Sequence, residues 1–204
     1  MESSLTHILL IRHAASDPGG RLCGSFDVPL SEDGRTAIAA LGRRLRRQAP
    51  DALYTSTLRR ATDVADTLGA AWRLQPQPAE WAREIHCGHV EGMPFRQIQQ
   101  SYPDHWARNE AETDDGFAWP GGETYAAFRA RILDGLRTAV APYIGGRLAV
   151  VTHAGVISQV LGVIRGRPAA AWVPDRPLPL TATEITWQDG GPGRLLRFDD
   201  RDWA

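Results

Sequence analysis

Short unbroken apolar runs, separated by polar stretches with helical spacing, set the layout of this chain. Ile8-Leu9-Leu10-Ile11 and Leu148-Ala149-Val150-Val151 contain no polar residue. Runs of this kind suit strands covered on both faces, as in a parallel sheet. The first predicts a strand from His7 to Arg12 and the second a strand ending at Thr152. Ala52 to Thr55 reads as another strand, and Trp72 to Leu74 as a short one. Tyr125, Phe128, Ile132, Leu133, Leu136 and Val140 recur at helical spacing, which predicts a long helix with this face in the core. Ser31 is a good N-cap, and Glu32 and Asp33 follow in the first turn, which predicts a helix to about Gln48. Arg43, Arg44, Arg46 and Arg47 then fall at its C-terminal end and read as a solvated helix end. Leu58 to Leu68 and Gly155 to Ile164 read as further helices. Residues 81–92 have turn character. Residues 94–122 read as an insertion of short helices and loops rich in Trp, Pro and acids. Thr181 to Trp187 and Arg194 to Phe198, joined by a glycine-rich turn at Asp189-Gly190-Gly191-Pro192-Gly193, read as a closing hairpin.

This alternation predicts an α/β fold with three layers, α/β/α, around a mostly parallel sheet with an antiparallel edge. At 204 residues the chain can bury a full core. No linker or internal repeat divides it, so one domain is expected over 1–204, carrying the insertion at about 94–122. No apolar stretch is long enough to span a bilayer. The first residues, Met1-Glu2-Ser3-Ser4, lack the basic and apolar regions of a signal peptide, so a cytoplasmic location is expected. The two cysteines, Cys23 and Cys87, make no disulfide framework, in keeping with a reducing compartment.

Net charge is -1, which gives no electrostatic argument for nucleic acid. All 23 basic residues are Arg and none is Lys. On the surface this reads as composition bias. In chemistry it excludes a Schiff-base lysine and a P-loop lysine.

In parallel sheets ligands bind just beyond the carboxyl ends of the strands. His13 and His153 each follow an apolar strand directly, so they are expected to meet at one rim. A histidine at such a position is more often a satisfied core residue than a reactive one. Its neighbours change the balance. Arg12 at a strand end is costly without an anionic partner and offers a planar fork to phosphate oxygens. Gly155 opens a helix whose free N-H groups attract anions. Arg59 and Arg60 sit at the start of a helix, where cations are disfavoured unless an anion is present. One of the pair is expected to face the site and the other solvent. His86-Cys87-Gly88-His89 has metal-ligand residue types, but no further Cys or His cluster completes a tetrahedral set, so no metal is expected. The seven Trp residues read as core or pocket-wall packing. Asp114-Asp115 reads as a solvated turn.

Leu10-Ile11-Arg12-His13-Ala14 resembles the R-H-G signature of the histidine phosphatase superfamily, with its phosphoglycerate mutase-like fold. Ser56-Thr57-Leu58-Arg59-Arg60-Ala61 resembles the family's S-x-L-x-R-A, and Arg83-Glu84-Ile85-His86-Cys87-Gly88-His89-Val90-Glu91-Gly92 its L-x-E-x-x-x-G-x-x-E-G segment. Pro120-Gly121-Gly122-Glu123-Thr124 resembles the P-G-G-E-S of its small phosphatases, and Val151-Thr152-His153-Ala154-Gly155 its second-histidine motif. Each match alone is weak, whereas the set runs in family order over nearly the whole chain.

The resemblance implies that His13 is a nucleophile forming a phosphohistidine. It implies that Arg12, Arg60 and His153 hold the phosphoryl oxygens, and that Glu84 is the general acid, kept protonatable by burial. Ser16, Cys23 and Gly24 are expected as further phosphate contacts. No cofactor is implied. The partner implied is a small-molecule phosphate ester, without nucleic acid or membrane, and oligomeric state stays open, a homodimer included. Ala14, Ala15 and Ala154 replace common family residues, and Ala14 adds a methyl beside the nucleophile that is either tolerated or narrows the pocket. The expected function is a metal-independent phosphomonoesterase acting on a small phosphorylated metabolite under a cap at 94–122. The Cys-Gly-x-x-Asp-x-Pro-Leu-Ser loop is similar to that of α-ribazole phosphatases. Two alternatives are mutase-type phosphoryl transfer and a non-catalytic phosphate-binding module. The mutase is disfavoured because the insertion holds only Arg96 and Arg108 as basic residues.

Overall fold

The apolar runs become the centre of a six-stranded sheet. The structure, a computed structural model, describes residues 5–44, 49–188 and 190–203. Its strands are β1 (Thr6–Arg12), β2 (Ala52–Thr55), β3 (Gln77–Pro78), β4 (Arg147–Thr152), β5 (Ala182–Gln188) and β6 (Gly191–Asp200), in the spatial order β3-β2-β4-β1-β5-β6. The first four run parallel, while β5 joins β1 antiparallel and β6 returns along β5. The sheet is thus mostly parallel with an antiparallel edge, as expected.

Both faces of the central strands are covered, which explains the absence of alternation in their sequences. Leu9 and Ile11 face one apolar cluster with α1 (Glu32–Arg44) and α2 (Arg59–Trp72). Ile8 and Leu10 face the other, with α5 (Tyr125–Val140) and α6 (Ala154–Ile164). The predicted face of α5 is the one that packs there, with Phe128, Ile132 and Leu136 fully buried. Removing a side chain of this kind costs about 3–5 kcal/mol for Phe and 2–5 for Leu or Ile. Ser31 caps α1, its hydroxyl oxygen accepting from the Gly34 N–H at 3.1 Å. A cap of this kind contributes about 1 kcal/mol. The cluster expected at the far end of α1 falls outside what is described, both the side chains of Arg43 and Arg44 and residues Arg46 and Arg47, as does the hairpin residue Asp189.

Some expected elements differ. No strand forms over Trp72 to Leu74. Instead α2 continues to Trp72, because Leu68 and Trp72 still bury against the sheet and Trp203. Arg73 then ends it in the left-handed conformation, donating its N–H to the Gly69 carbonyl. The short strand lies just beyond, pairing Gln77 with Tyr54. Residues 94–122 form α3 (Phe95–Ser101) and α4 (Pro103–Ala111) with flanking loops, and their Ile98, Phe117 and Trp119 join the α5/α6 cluster. Asp115 is no solvated turn residue. Its carboxylate accepts the Ala170 N–H at 2.8 Å and its carbonyl accepts the Ala126 N–H, tying this segment to α5 and to the loop after α6. Among the described residues no helix is long and apolar enough to cross a membrane.

Candidate active site

Strand register brings the two histidines together. β1 and β4 are parallel, with Arg12 opposite Thr152, so the next residues of each strand emerge side by side. The His13 N–H donates to the Thr152 carbonyl at 2.9 Å. The two imidazole centroids lie 5.0 Å apart with planes at 59°. Both rings are buried, His153 completely.

The two rings are held differently. His13 Nδ1 lies 2.6 Å from the Ala14 carbonyl, which can only accept, so Nδ1 carries the proton and Nε2 keeps the lone pair. Burial, reinforced by the Arg60 charge, lowers the His13 pKa to about 3, against which the Ala14 hydrogen bond pulls only partly. His153 Nε2 lies 2.7 Å from the Ser56 hydroxyl, and its Nδ1 is buried with no partner among the described residues. Burial, then the nearby His13 and Arg60, push its pKa well below the ordinary value. Both rings are therefore neutral at physiological pH.

Arg12 and Arg60 close around them. The Arg12 Nη1 donates to the Pro177 carbonyl at 2.5 Å, and its Nε is a buried donor without a partner among the described residues. Arg60 is 2% exposed and donates to the carbonyls of Phe26 at 2.9 Å and Gly24 at 2.8 Å. Arg59 points to solvent while its neighbour faces inward, as the pair predicted. Burial lowers the pKa of both inward guanidiniums, yet such groups stay protonated in proteins. The loop that receives Arg60 is itself anchored by Glu91. Its Oε1 accepts from the N–H groups of Ser25 and Cys87 and from the Ser25 hydroxyl, and its Oε2 from the Phe26 N–H.

Glu84 completes the cluster from the turn before α3. Its Oε2 accepts the Gly155 N–H at 3.0 Å and its Oε1 the Ile85 N–H at 3.1 Å. The first-turn N–H of α6, expected to be free for an anion, is therefore already bound to this carboxylate. A side chain at position 155 would place its Cβ 2.1 Å from Glu84 Oε1, so only glycine allows the approach. Gly24 is equally constrained, since a Cβ there would stand 2.3 Å from the Ile85 carbonyl.

Arg12, His13, Arg60 and Glu84 line one cavity of about 440 Å³, together with Ser16, Cys23, Gly24 and Ala154, while the fully buried His153 lies behind that lining against the His13 ring. Burial raises the Cys23 thiol pKa, so it enters the site as a neutral wall. Ala14 does not line the cavity. It is fully buried in the α1/α2 cluster, so the replacement of the family's glycine fills core space and leaves the pocket unnarrowed. His86 and His89 are exposed whereas Cys87 is buried, and among the described residues no group of His, Cys, Asp or Glu side chains is arranged to hold a metal.

Ser56 and Arg176 were not among the expected site residues. Ser56 could have been found, since it follows β2 as His13 follows β1. Arg176 lies in an irregular proline-flanked segment without periodicity, and only the closed structure brings it to the cavity.

The family model described as histidine phosphatase superfamily (branch 1) matches residues 8–200. A glucosyl-3-phosphoglycerate phosphatase of Mycobacterium tuberculosis is 32% identical over 175 residues, covering 81% of this chain and 78% of that protein. A metal-independent phosphoserine phosphatase of Arabidopsis thaliana is 29% identical over 165 residues, covering 78% of this chain and 69% of that protein. The native structure of the mycobacterial glucosyl-3-phosphoglycerate phosphatase superposes with a TM-score of 0.83 at 27% identity, covering 96% of this chain and 99% of that one.

Proposed function

The chain belongs to branch 1 of the histidine phosphatase superfamily, and from its cavity we propose a metal-independent phosphomonoesterase that works through a phosphohistidine on His13. One observation carries the proposal: a neutral His13, proton held on Nδ1 by Ala14, lines one cavity with Arg12, Arg60 and Glu84, and the His153 ring lies against it at 5.0 Å.

The chemistry runs in two displacements. His13 Nε2 attacks phosphorus as the bond to the leaving oxygen breaks, and Glu84 gives its proton to that oxygen. The carboxylate so formed takes a proton from water, whose oxygen attacks the phosphohistidine. The P–N bond breaks, inorganic phosphate leaves and His13 is restored. The free Arg12 Nε, the Arg60 guanidinium and His153 stabilise the charge on the phosphoryl oxygens. Ser16, Cys23 and Gly24 form the wall on which the phosphate rests, and the 94–122 segment serves as cap. Arg96 and Arg108 lie outside the cavity lining, and Arg108 is paired with Asp114. That favours release of phosphate to water over its retention for a mutase reaction.

Ser56 sets the His153 tautomer. Its oxygen accepts the Leu58 N–H at 3.3 Å, and its hydroxyl proton is available to His153 Nε2 at 2.7 Å. With the hydroxyl as donor, the ring proton sits on Nδ1, which has no partner among the described residues and can donate to an anion. Ser56→Ala is expected to lower kcat/KM about 10-fold, the effect of one buried hydrogen bond, with melting temperature as the folding control. An unchanged kcat/KM would release Ser56 from this role.

The proposal is tested by hydrolysis of p-nitrophenyl phosphate with a chelator present. Turnover is expected, and kcat/KM is expected not to fall between pH 6.5 and 4.5 once the ester's own ionisation is corrected for. The sign follows from His13: a lowered pKa keeps the nucleophile unprotonated where an ordinary histidine would be mostly protonated. Phosphate binding without turnover favours the non-catalytic module instead. The named substrates of the two relatives differ, so the metabolite is left to the chemistry of the cavity wall.

A further inference from the structure

The cavity carries more positive charge than a phosphate needs. Four arginines line it, Arg12, Arg21, Arg60 and Arg176, against the single carboxylate of Glu84. Three have their guanidiniums tied to backbone carbonyls, at Pro177, at Gly92, and at Gly24 and Phe26. Arg176 is different. It is exposed, lies over the Trp172 ring at 5.2 Å, and no carboxylate among the described residues lies within ion-pair distance of it. Glu112 feels its charge but stays beyond that distance.

Its position is built. The preceding residue, Asp175, is 1% exposed, pairs with Arg165 and Arg167, and its carbonyl accepts the Ser158 hydroxyl at 2.8 Å. The following residue, Pro177, holds Arg12. Arg176 therefore rides on a clamped segment between the phosphate end and the aromatic wall of Trp119, Tyr125 and Trp172. Its charge reaches Arg12, whose pKa falls through burial first and Arg176 second.

We infer that the leaving group carries a carboxylate, received by the Arg176 guanidinium at the cavity mouth, with its carbon frame against Trp172 and Trp119. The inference rests on the phosphatase reading of the site. A lone guanidinium fork matches a planar monoanion, whereas a second phosphate dianion would call for more than one free cation. The Trp172 ring holds the guanidinium by a cation–π contact without using its donors.

The test compares matched esters: 3-phosphoglycerate against glycerol 3-phosphate, and O-phosphoserine against O-phosphoethanolamine. α-Ribazole 5'-phosphate is included as a ring-bearing ester whose leaving group is uncharged. Wild type is expected to favour the carboxylate member of each pair by about 10-fold or more in kcat/KM, mainly through KM. Arg176→Gln is expected to shrink that ratio to within about 3-fold. A ratio near one in wild type, or an equal ratio in the variant, overturns the inference while leaving hydrolysis of p-nitrophenyl phosphate intact. Absence of any turnover overturns the phosphatase reading separately. In that case calorimetric affinities of the same pairs for wild type and Arg176→Gln carry the same ratio test.

Discussion

His13→Ala lowers kcat on p-nitrophenyl phosphate by about 10⁴-fold or more, the scale seen when a covalent nucleophile is deleted. The expectation follows from how the ring is held. Hydrogen bonding to Ala14 directs the lone pair to Nε2, and burial beside Arg60 keeps it unprotonated. Among the described residues His13 is the one histidine that lines the cavity, and His153 behind it has Nε2 on Ser56. The substitution removes atoms at the cavity wall rather than in the α5/α6 core, so the melting temperature is expected to change by a few degrees at most. A radiolabelled phosphate ester, quenched during turnover, should leave an acid-labile, alkali-stable label on wild type and none on the variant. Wild-type turnover by His13→Ala would remove this residue from the chemistry.

Glu84→Gln produces the second large effect, and its size depends on the ester. General acid catalysis contributes about 10²- to 10⁴-fold. It matters most when the departing oxygen is basic. On alkyl phosphates kcat/KM is expected to fall by about 10²-fold or more, on p-nitrophenyl phosphate by less than about 10-fold. The comparison uses kcat/KM because that quantity reports the first displacement, before Glu84 acts on water. The glutamine side chain is nearly isosteric, and its carbonyl oxygen can still accept from Gly155 or Ile85, which limits any rearrangement of α6. Equal slowing of both classes would count against Glu84 as the proton donor.

The glycine at 155 links these chemical expectations to packing. A Cβ there would meet Glu84 Oε1 at 2.1 Å. The carboxylate is thus seated on the start of α6, so acid and helix are one assembly. From the order of motifs alone, Glu84 and Gly155 were two unrelated matches.

Periodicity and local chemistry were enough to specify the layers, the parallel centre of the sheet, the antiparallel hairpin and the meeting of His13 with His153. Those features depend on short-range patterns: apolar runs mark strands covered on both faces, and a polar residue directly after such a run emerges at the sheet rim. They could not specify where α2 stops, because burial of Trp72 against Trp203, 131 positions away, outweighs the local pattern that reads Trp72 to Leu74 as a strand. Nor could they tell that the Ala14 methyl turns into the core, that Glu84 occupies the Gly155 N–H, or that Ser56 bonds His153. Each of these is a contact between segments distant in sequence, decided by packing and hydrogen-bond satisfaction in three dimensions. Arg176 belongs with them: its charge is visible in the chain, but its place beside the phosphate end exists only because Asp175 is clamped by Arg165 and Arg167 in the folded molecule.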